Sequence, residues 1–247
     1  VTSLPSRHDE AWRYSDIDAL ARVWPIATET IHVAAGESAT RQLIRNAGGD
    51  AVEVRDFAIT VEAGARLDLH ILNAGGAYGR FALDITLGEG AEFHLGGVQI
   101  GGGTATLEIV TVMRHTAPGA VSRQIVRSVL GDKATGTYLG KVAVARDAQH
   151  TDSTQSVKAM LLARTATANA KPELEIFADD VKCAHGAAVG ELDAQALFYL
   201  MSRGIPPVEA KRLMLQAFIA EVFVDVADDA AREALEAAAL SALEQLQ

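Results

Sequence analysis

EAGARLDLHILNAGGAYGRFALDITLGEGAEFHLGGVQIGGG, residues 62–103, decides the fold of this chain. Leu67, Leu69 and Ile71 share one parity, and so do Phe81, Leu83, Ile85 and Leu87. A period of two puts such residues on one face of a strand. Glycines separate the alternating runs and supply the turns. The separators recur: Gly64-Ala65 and Gly90-Ala91 lie 26 residues apart, and Gly119-Ala120 follows 29 residues later. A loose period of this length predicts stacked coils, none of which can bury its apolar face alone. A β-solenoid is the leading interpretation. A sandwich is the competitor, because many short strands with close turns also describe that fold. Long helical patterns do not intervene, which argues against a doubly wound α/β domain.

Three zones follow from this centre. Residues 1–29 form a short N-terminal arm or helix, with Asp9 or Asp16 as a cap and Trp12 and Tyr14 as anchors onto the core or onto a partner. Residues 30–190 form the β core, which includes TIHVAAG and AVEVRDFAITVEAG before the central stretch and GKVAVARDAQHTDSTQSVKAMLLA after it. Within the last of these, the polar run QHTDSTQS fits an edge, a loop or a polar ladder, and ordinary turn use is the favoured reading. Residues 191–247 are helical. Asp193 caps a first helix that Gly204 ends, and PVEAKRLMLQAFIAEVFVDV forms a second. Asp228 caps a third. In the second, Leu215, Phe218 or Ile219, Val222 and Val226 mark an apolar stripe. These helices either cover the end of the β core or meet a partner.

Composition excludes several function classes. Apolar residues make up 49% of the 247 and charged residues 22%, so the chain is globular. A net charge of -10 argues against a general nucleic-acid surface and against binding acidic lipid. No apolar run reaches 18 residues, so no membrane span is expected. The N-terminal residues lack the basic start and apolar run of a signal peptide, and a cytoplasmic protein is the simplest reading. A Gly-x-x-x-x-Gly-Lys-Ser/Thr loop is absent, so the chain has no ATP site of that kind.

Chemistry concentrates in ADDVKCAHGAAVGELDAQALFYLMSRGIPP, residues 178–207, where the single cysteine stands two residues from a histidine. On a strand, Cys183 and His185 share a face with Cα atoms about 6.6 Å apart. Thiolate and imidazole both bind zinc or iron. One cysteine cannot hold a four-cysteine cluster, and a site completed by another subunit makes chemical sense. Two ordinary residues, a small buried thiol and a turn histidine, are the bland alternative.

The same segment closely resembles the C-terminal signature of the SufB/SufD family, on its SufD side. The likeness lies in Lys182-Cys183-Ala184-His185-Gly186-Ala187, Val189-Gly190, Leu192-Asp193, Ala196-Leu197-Phe198-Tyr199 and Ser202-Arg203-Gly204-Ile205. Glu209-Ala210 and the run Leu213 to Val222 extend it, and Trp12-Arg13-Tyr14-Ser15 resembles the family's N-terminal element. Ala184 replaces the commoner serine, and members of the family are typically longer.

The resemblance implies a mainly β protein: a right-handed parallel β-helix-like solenoid with a C-terminal helical domain. It implies a non-catalytic scaffold of SUF iron–sulfur cluster assembly. The scaffold pairs with a SufB-like protein and docks a SufC-like ATPase through residues 191–247, and ATP is used by that ATPase. A homodimer is the alternative pairing. The transient iron–sulfur cluster, or iron, shared with SufB would meet His185, with Cys183 as a second or supporting ligand. Arg203, Gly204 and Pro206 would shape the docking segment, and Glu209, Arg212 and Phe218 would touch the partner, unless these six only pack the helices. A carbohydrate-active β-solenoid enzyme, or a protein-binding module with no metal role, are the readings from other classes.

Overall fold

The computed structural model describes residues 3–246 apart from Asp225 and Ala227. Among them, β1 (Thr28–Val33), β3 (Val52–Val61), β5 (Tyr78–Leu87), β7 (Thr106–His115), β9 (Thr135–Val144) and β11 (Thr167–Ile176) form one sheet. The second contains β2 (Ser38–Ala47), β4 (Arg66–Gly75), β6 (Glu92–Gly101), β8 (Val121–Leu130), β10 (Asp152–Leu161) and β12 (Lys182–Glu191). Every strand pairs in parallel with the strand two further on in sequence, as Leu67 with Phe93 and Phe93 with Ser122. Six coils of two strands therefore stack into a flattened solenoid. A sandwich of antiparallel hairpins is ruled out by this pairing.

The glycine rhythm is the turn column. Gly64, Gly90 and Gly119 take φ of 64°, 61° and 74°. Their N–H groups donate to the next coil at Glu89 O, Pro118 O and Gln149 O, at 2.8–2.9 Å. The alanine after each glycine is buried against its stacked neighbours. Between the sheets lies a continuous apolar core that includes Leu67, Leu69, Ile71, Phe81, Leu83, Ile85 and Leu87.

One corner of the interior is polar. The buried Arg45 donates through Nη1 to Asn73 Oδ1 (3.2 Å), Ala74 O (3.1 Å) and Gly75 O (2.8 Å), and through Nη2 to Tyr78 O (3.1 Å). Asn73 in turn donates to Gly79 O and Glu108 O. A buried guanidinium survives only when its donors are used in this way. A Cβ on Gly79 would overlap Asn73 Oδ1 and the Arg45 guanidinium.

The N-terminal arm lies across the outer face of the odd-numbered sheet. A short turn at Glu10–Trp12 leads into α1 (Ile17–Ala21), whose Asp16 accepts from Ala19 N–H at 3.0 Å. Trp12 sits edge-on to Trp24 and covers the Arg80 guanidinium, 3.9 Å from its ring centroid. Ser15 Oγ donates to Glu108 Oε2 (2.9 Å), and Arg80 pairs with the same carboxylate. Trp12 therefore anchors onto the chain's own core.

Three helices follow the last strand: α2 (Ala194–Ser202), α3 (Pro207–Ala220) and α4 (Asp229–Glu244), with Asp193 and Asp228 as caps. The second is shorter than its apolar pattern predicts. After Ala220 the chain tightens, with Val222 N–H bonded to Ile219 O and Phe223 N–H to Ala220 O. The tightening lets Val222, Phe223 and Val226 all enter the core of the helical layer. Gly96 permits it, because a Cβ there would meet Val222 O at 2.8 Å. α3 and α4 pack on the outer face of the even-numbered sheet, over Leu72, Ala74, Val98, Ile100 and Val129. They cover a flank of the solenoid and not its end. None of the described helices is long and apolar enough to cross a membrane.

Gly79→Ala is expected to destabilise the fold by about 2–3 kcal/mol through overpacking of the Arg45 network. Gly186→Ala, whose Cβ meets nothing within 4 Å, should stay within about 0.5 kcal/mol of the parent. Urea unfolding of the two variants side by side checks this.

Candidate functional site

Cys183 and His185 lie on β12, the terminal strand of its sheet. The backbone there is extended, so the two side chains share the parity of the core-facing columns. In register, Leu67, Phe93, Ser122, Ser153 and Cys183 form one column. Leu69, Leu95, Gln124, Gln155 and His185 form the next. Each column is apolar in the second and third coils and changes to Ser, Cys, Gln and His in the last three. Cys183 is half-buried and His185 exposed, because no further coil lies above β12.

Both columns lead into buried hydrogen-bond networks. Under Cys183, His115 Nε2 meets Ser122 Oγ at 3.0 Å, and Ser122 Oγ meets Ser153 Oγ at 2.8 Å. Burial holds His115 neutral, with its pKa lowered to about 4. Under His185, Gln155 Nε2 donates to Tyr138 Oη (3.1 Å), which donates to Gln124 Oε1 (3.1 Å); Thr111 Oγ1 also donates to Gln124 Oε1 (2.8 Å). Burial pushes the Tyr138 hydroxyl up to about 12. Turn use, the favoured reading of QHTDSTQS, holds for His150, which with φ of 62° sits in the glycine turn column. Ser153 and Gln155, however, are interior rungs. The signal was present as alternation: Ser153, Gln155 and Val157 share one parity.

Burial pushes the Cys183 thiol up; the Ser153 backbone opposes this weakly and the Asp152 charge reinforces it. The sulfur is therefore held as a thiol and not as an activated nucleophile. Among the described residues no group of three or more His, Cys, Asp or Glu side chains converges as a metal site. Cys183 and His185 give two donors of the right softness for iron or zinc on one open edge, which fits a shared site and not a closed one.

The edge itself is unprotected. β12 reads KCAHGAAVGE, ten residues without proline, with Ala184, Gly186, Ala188 and Gly190 following Lys182 on its outer face. A long, flat edge of small residues is a template for pairing with another chain. β11, the last strand of the odd-numbered sheet at the same end, carries Pro172 and the charges of Lys171, Glu173 and Glu175.

The six docking candidates occupy the α2–α3 corner. Arg203 stacks on Tyr199 at 5.2 Å and donates to its hydroxyl at 3.2 Å. Gly204 ends α2 with φ of 88°, and Pro206 caps α3. Glu209 and Arg212 pair with each other along α3, and Phe218 is half-buried against the helical core. The sequence reading gave no docking role to the exposed apolar residues beside them: Phe198 (72% exposed), Tyr199 (57%), Val208 (64%) and Met201 (40%). Their signal was a helix with no buried residue in a strongly apolar sequence.

A groove beside Trp12 and Trp24 has Asp56 and Asp84 in its lining. Both carboxylates are engaged: Arg114 grips Asp84 with two bonds of 3.0 Å, and Thr28 Oγ1 donates to Asp56 at 2.8 Å. They are not set as the acid and base of glycoside hydrolysis.

The family described as SUF system FeS cluster assembly, SufBD core domain, matches residues 17–218. The iron–sulfur cluster assembly protein SufD of Escherichia coli is 32% identical over 167 residues, 62% of this chain and 40% of that protein. An iron–sulfur cluster assembly SufBD family protein of Synechocystis is 33% identical over 192 residues, 76% of this chain and 42% of its own length. The chloroplastic protein ABCI7 of Arabidopsis thaliana is 34% identical over 168 residues, 65% of this chain and 34% of its own. The chain thus spans less than half the length of these relatives.

The buried His115 sets a pH dependence. Burial lowers its pKa from the ordinary 6.5 to about 4, so the unfolded chain binds the proton first. Its contribution is full above pH 6.5 and is lost as pH falls through 4; the size is up to about 3 kcal/mol. His115→Gln should flatten the fall in urea midpoint over that window.

Proposed function

Since the chain belongs to the SufBD core-domain family of the SUF iron–sulfur cluster assembly system, we propose that it is a SufD-like scaffold subunit. Its β12 edge pairs with the solenoid of a SufB-like protein. His185, with Cys183 beside it, supplies this chain's share of the site where the cluster is assembled. The cluster is cargo, held between two subunits and passed on. Residues 191–247 dock a SufC-like ATPase through the exposed corner of α2 and α3.

The observation that carries this reading is the uncapped last coil. The helices lie on the flank, so the end of the solenoid keeps a ten-residue strand edge, a thiol and an imidazole open to a partner. Strand addition satisfies the free backbone groups of that edge. It also brings a second set of donors to the incomplete pair. The apolar α2–α3 corner is a separate surface, so two partners can bind together. ATP-driven movement at that corner would reach the edge through Leu192, packed with the helical layer, and the short link from β12 to α2. Such coupling requires two arrangements with different partner contacts.

Co-expression with the SufB-like and SufC-like proteins of the same organism, followed by mass determination, tests the assembly. A complex of all three is expected, and a stable homodimer excluding the SufB-like chain would overturn the pairing. His185→Ala should leave that mass unchanged and lower anaerobic cluster yield about tenfold or more, the scale of a disrupted metal environment. Normal yield in that variant would leave a binding module with no metal role. Phe198→Asp should release the ATPase and keep the SufB-like partner.

A further inference from the structure

The hydrogen-bond order inside the last three coils leaves the acceptor Gln155 Oε1 without a partner, together with Gln124 Nε2 and His115 Nδ1. Tyr138 has a single hydroxyl proton, donated to Gln124 Oε1. Gln155 therefore turns its amide nitrogen toward Tyr138 Oη. Its Oε1 is buried and has no hydrogen-bond partner. Gln155 is 3% exposed, so water does not readily satisfy that oxygen. An unpaired buried acceptor is penalised and calls for a donor.

The residue opposite Gln155 on the next rung is His185. Parallel rungs are about 4.8 Å apart, and in-register side chains of the same parity stand side by side. Gln155 and His185 also line one hollow at the open edge. An imidazole beside that amide can satisfy its oxygen with one ring N–H. The other ring nitrogen is then left with its lone pair, the form a metal requires.

We propose that Gln155 is a positioning residue for His185: its Oε1 accepts the imidazole N–H, selects one neutral tautomer and directs the opposite nitrogen outward from the β12 edge. Tyr138 and Gln124 hold the amide in the orientation that makes this work. The inference rests on the reading of His185 as a cluster contact, but the hydrogen bond belongs to the chain alone.

Long-range proton–nitrogen correlation spectra of the full chain, labelled with nitrogen-15, read the tautomer directly. His185→Ala identifies the signal, and spectra are taken at a pH where the ring is neutral. In the parent, one tautomer is expected to dominate by about tenfold, the bias of one ordinary hydrogen bond. In Gln155→Met, similar in length but without the acceptor, the ratio should return to that of a free imidazole. A free-imidazole ratio in the parent overturns the proposal whether or not the variant folds. So does an unchanged ratio in a variant whose circular dichroism matches the parent.

The three-protein assembly separates this from the parent reading. Full cluster yield with His185→Ala defeats the assignment of His185 itself. Reduced yield with His185→Ala but parental yield and tautomer with Gln155→Met defeats only the positioning role. The expected pattern is a loss with both variants, smaller for Gln155→Met.

Discussion

A parallel coil satisfies its backbone groups only through the coils above and below it. That constraint organises the molecule. In the middle of the stack each strand has two partners, and the core between the sheets is sealed. At the last coil the same geometry leaves a strand edge and the top of every core-facing column unfinished. A soluble protein usually hides such an edge with charge, proline, a bulge or a covering helix. Here β11 carries Pro172 and charges along its length, β12 carries alanine and glycine between Lys182 and Glu191, and the helices α3 and α4 lie on the flank.

The polar interior has the same logic. Arg45, Asn73 and the carbonyls around them fill one corner with a network that uses both terminal nitrogens of the guanidinium. Arg80 and Glu108, closed over by Trp12 and Ser15, form a second, roofed by the N-terminal arm. Both are structural, and glycine at position 79 makes room for the first. The networks under Cys183 and His185 differ in one respect: they run toward the open end. Serines and glutamines replace the leucines and phenylalanine of earlier coils on the same columns. The ladder between β10 and β12 holds the thiol and imidazole in register with the stack whose interior these networks fill.

The helical layer divides the surface further. Leu215, Ile219, Val222, Phe223 and the α4 residues Leu235, Ala239 and Leu243 spend their apolar face on the flank of the even-numbered sheet. α2 has no such partner, and its exposed aromatic residues sit beside Arg203 and the Gly204–Pro206 bend. One chain thus exposes both a strand edge and an apolar helical corner.

The sequence by itself determined the coil. Period-two alternation at Leu67, Leu69 and Ile71 and the Gly-Ala pairs at 64, 90 and 119 are local patterns. Stacking repeats them at nearly constant spacing, so they survive in one dimension. The caps at Asp193 and Asp228 and the pairing of Cys183 with His185 on one strand face were legible for the same reason. Only the tertiary structure decided that helices cover a flank and not the end, that α3 stops at Ala220, and that Ser153 and Gln155 are interior rungs. These outcomes depend on which residues meet although far apart in the chain: Gly96 under Val222, Tyr138 beside Gln155, Ser122 beside Ser153. A serine written in sequence looks the same at a turn and inside a column. Burial, and the hydrogen bond that burial demands, tell the two apart.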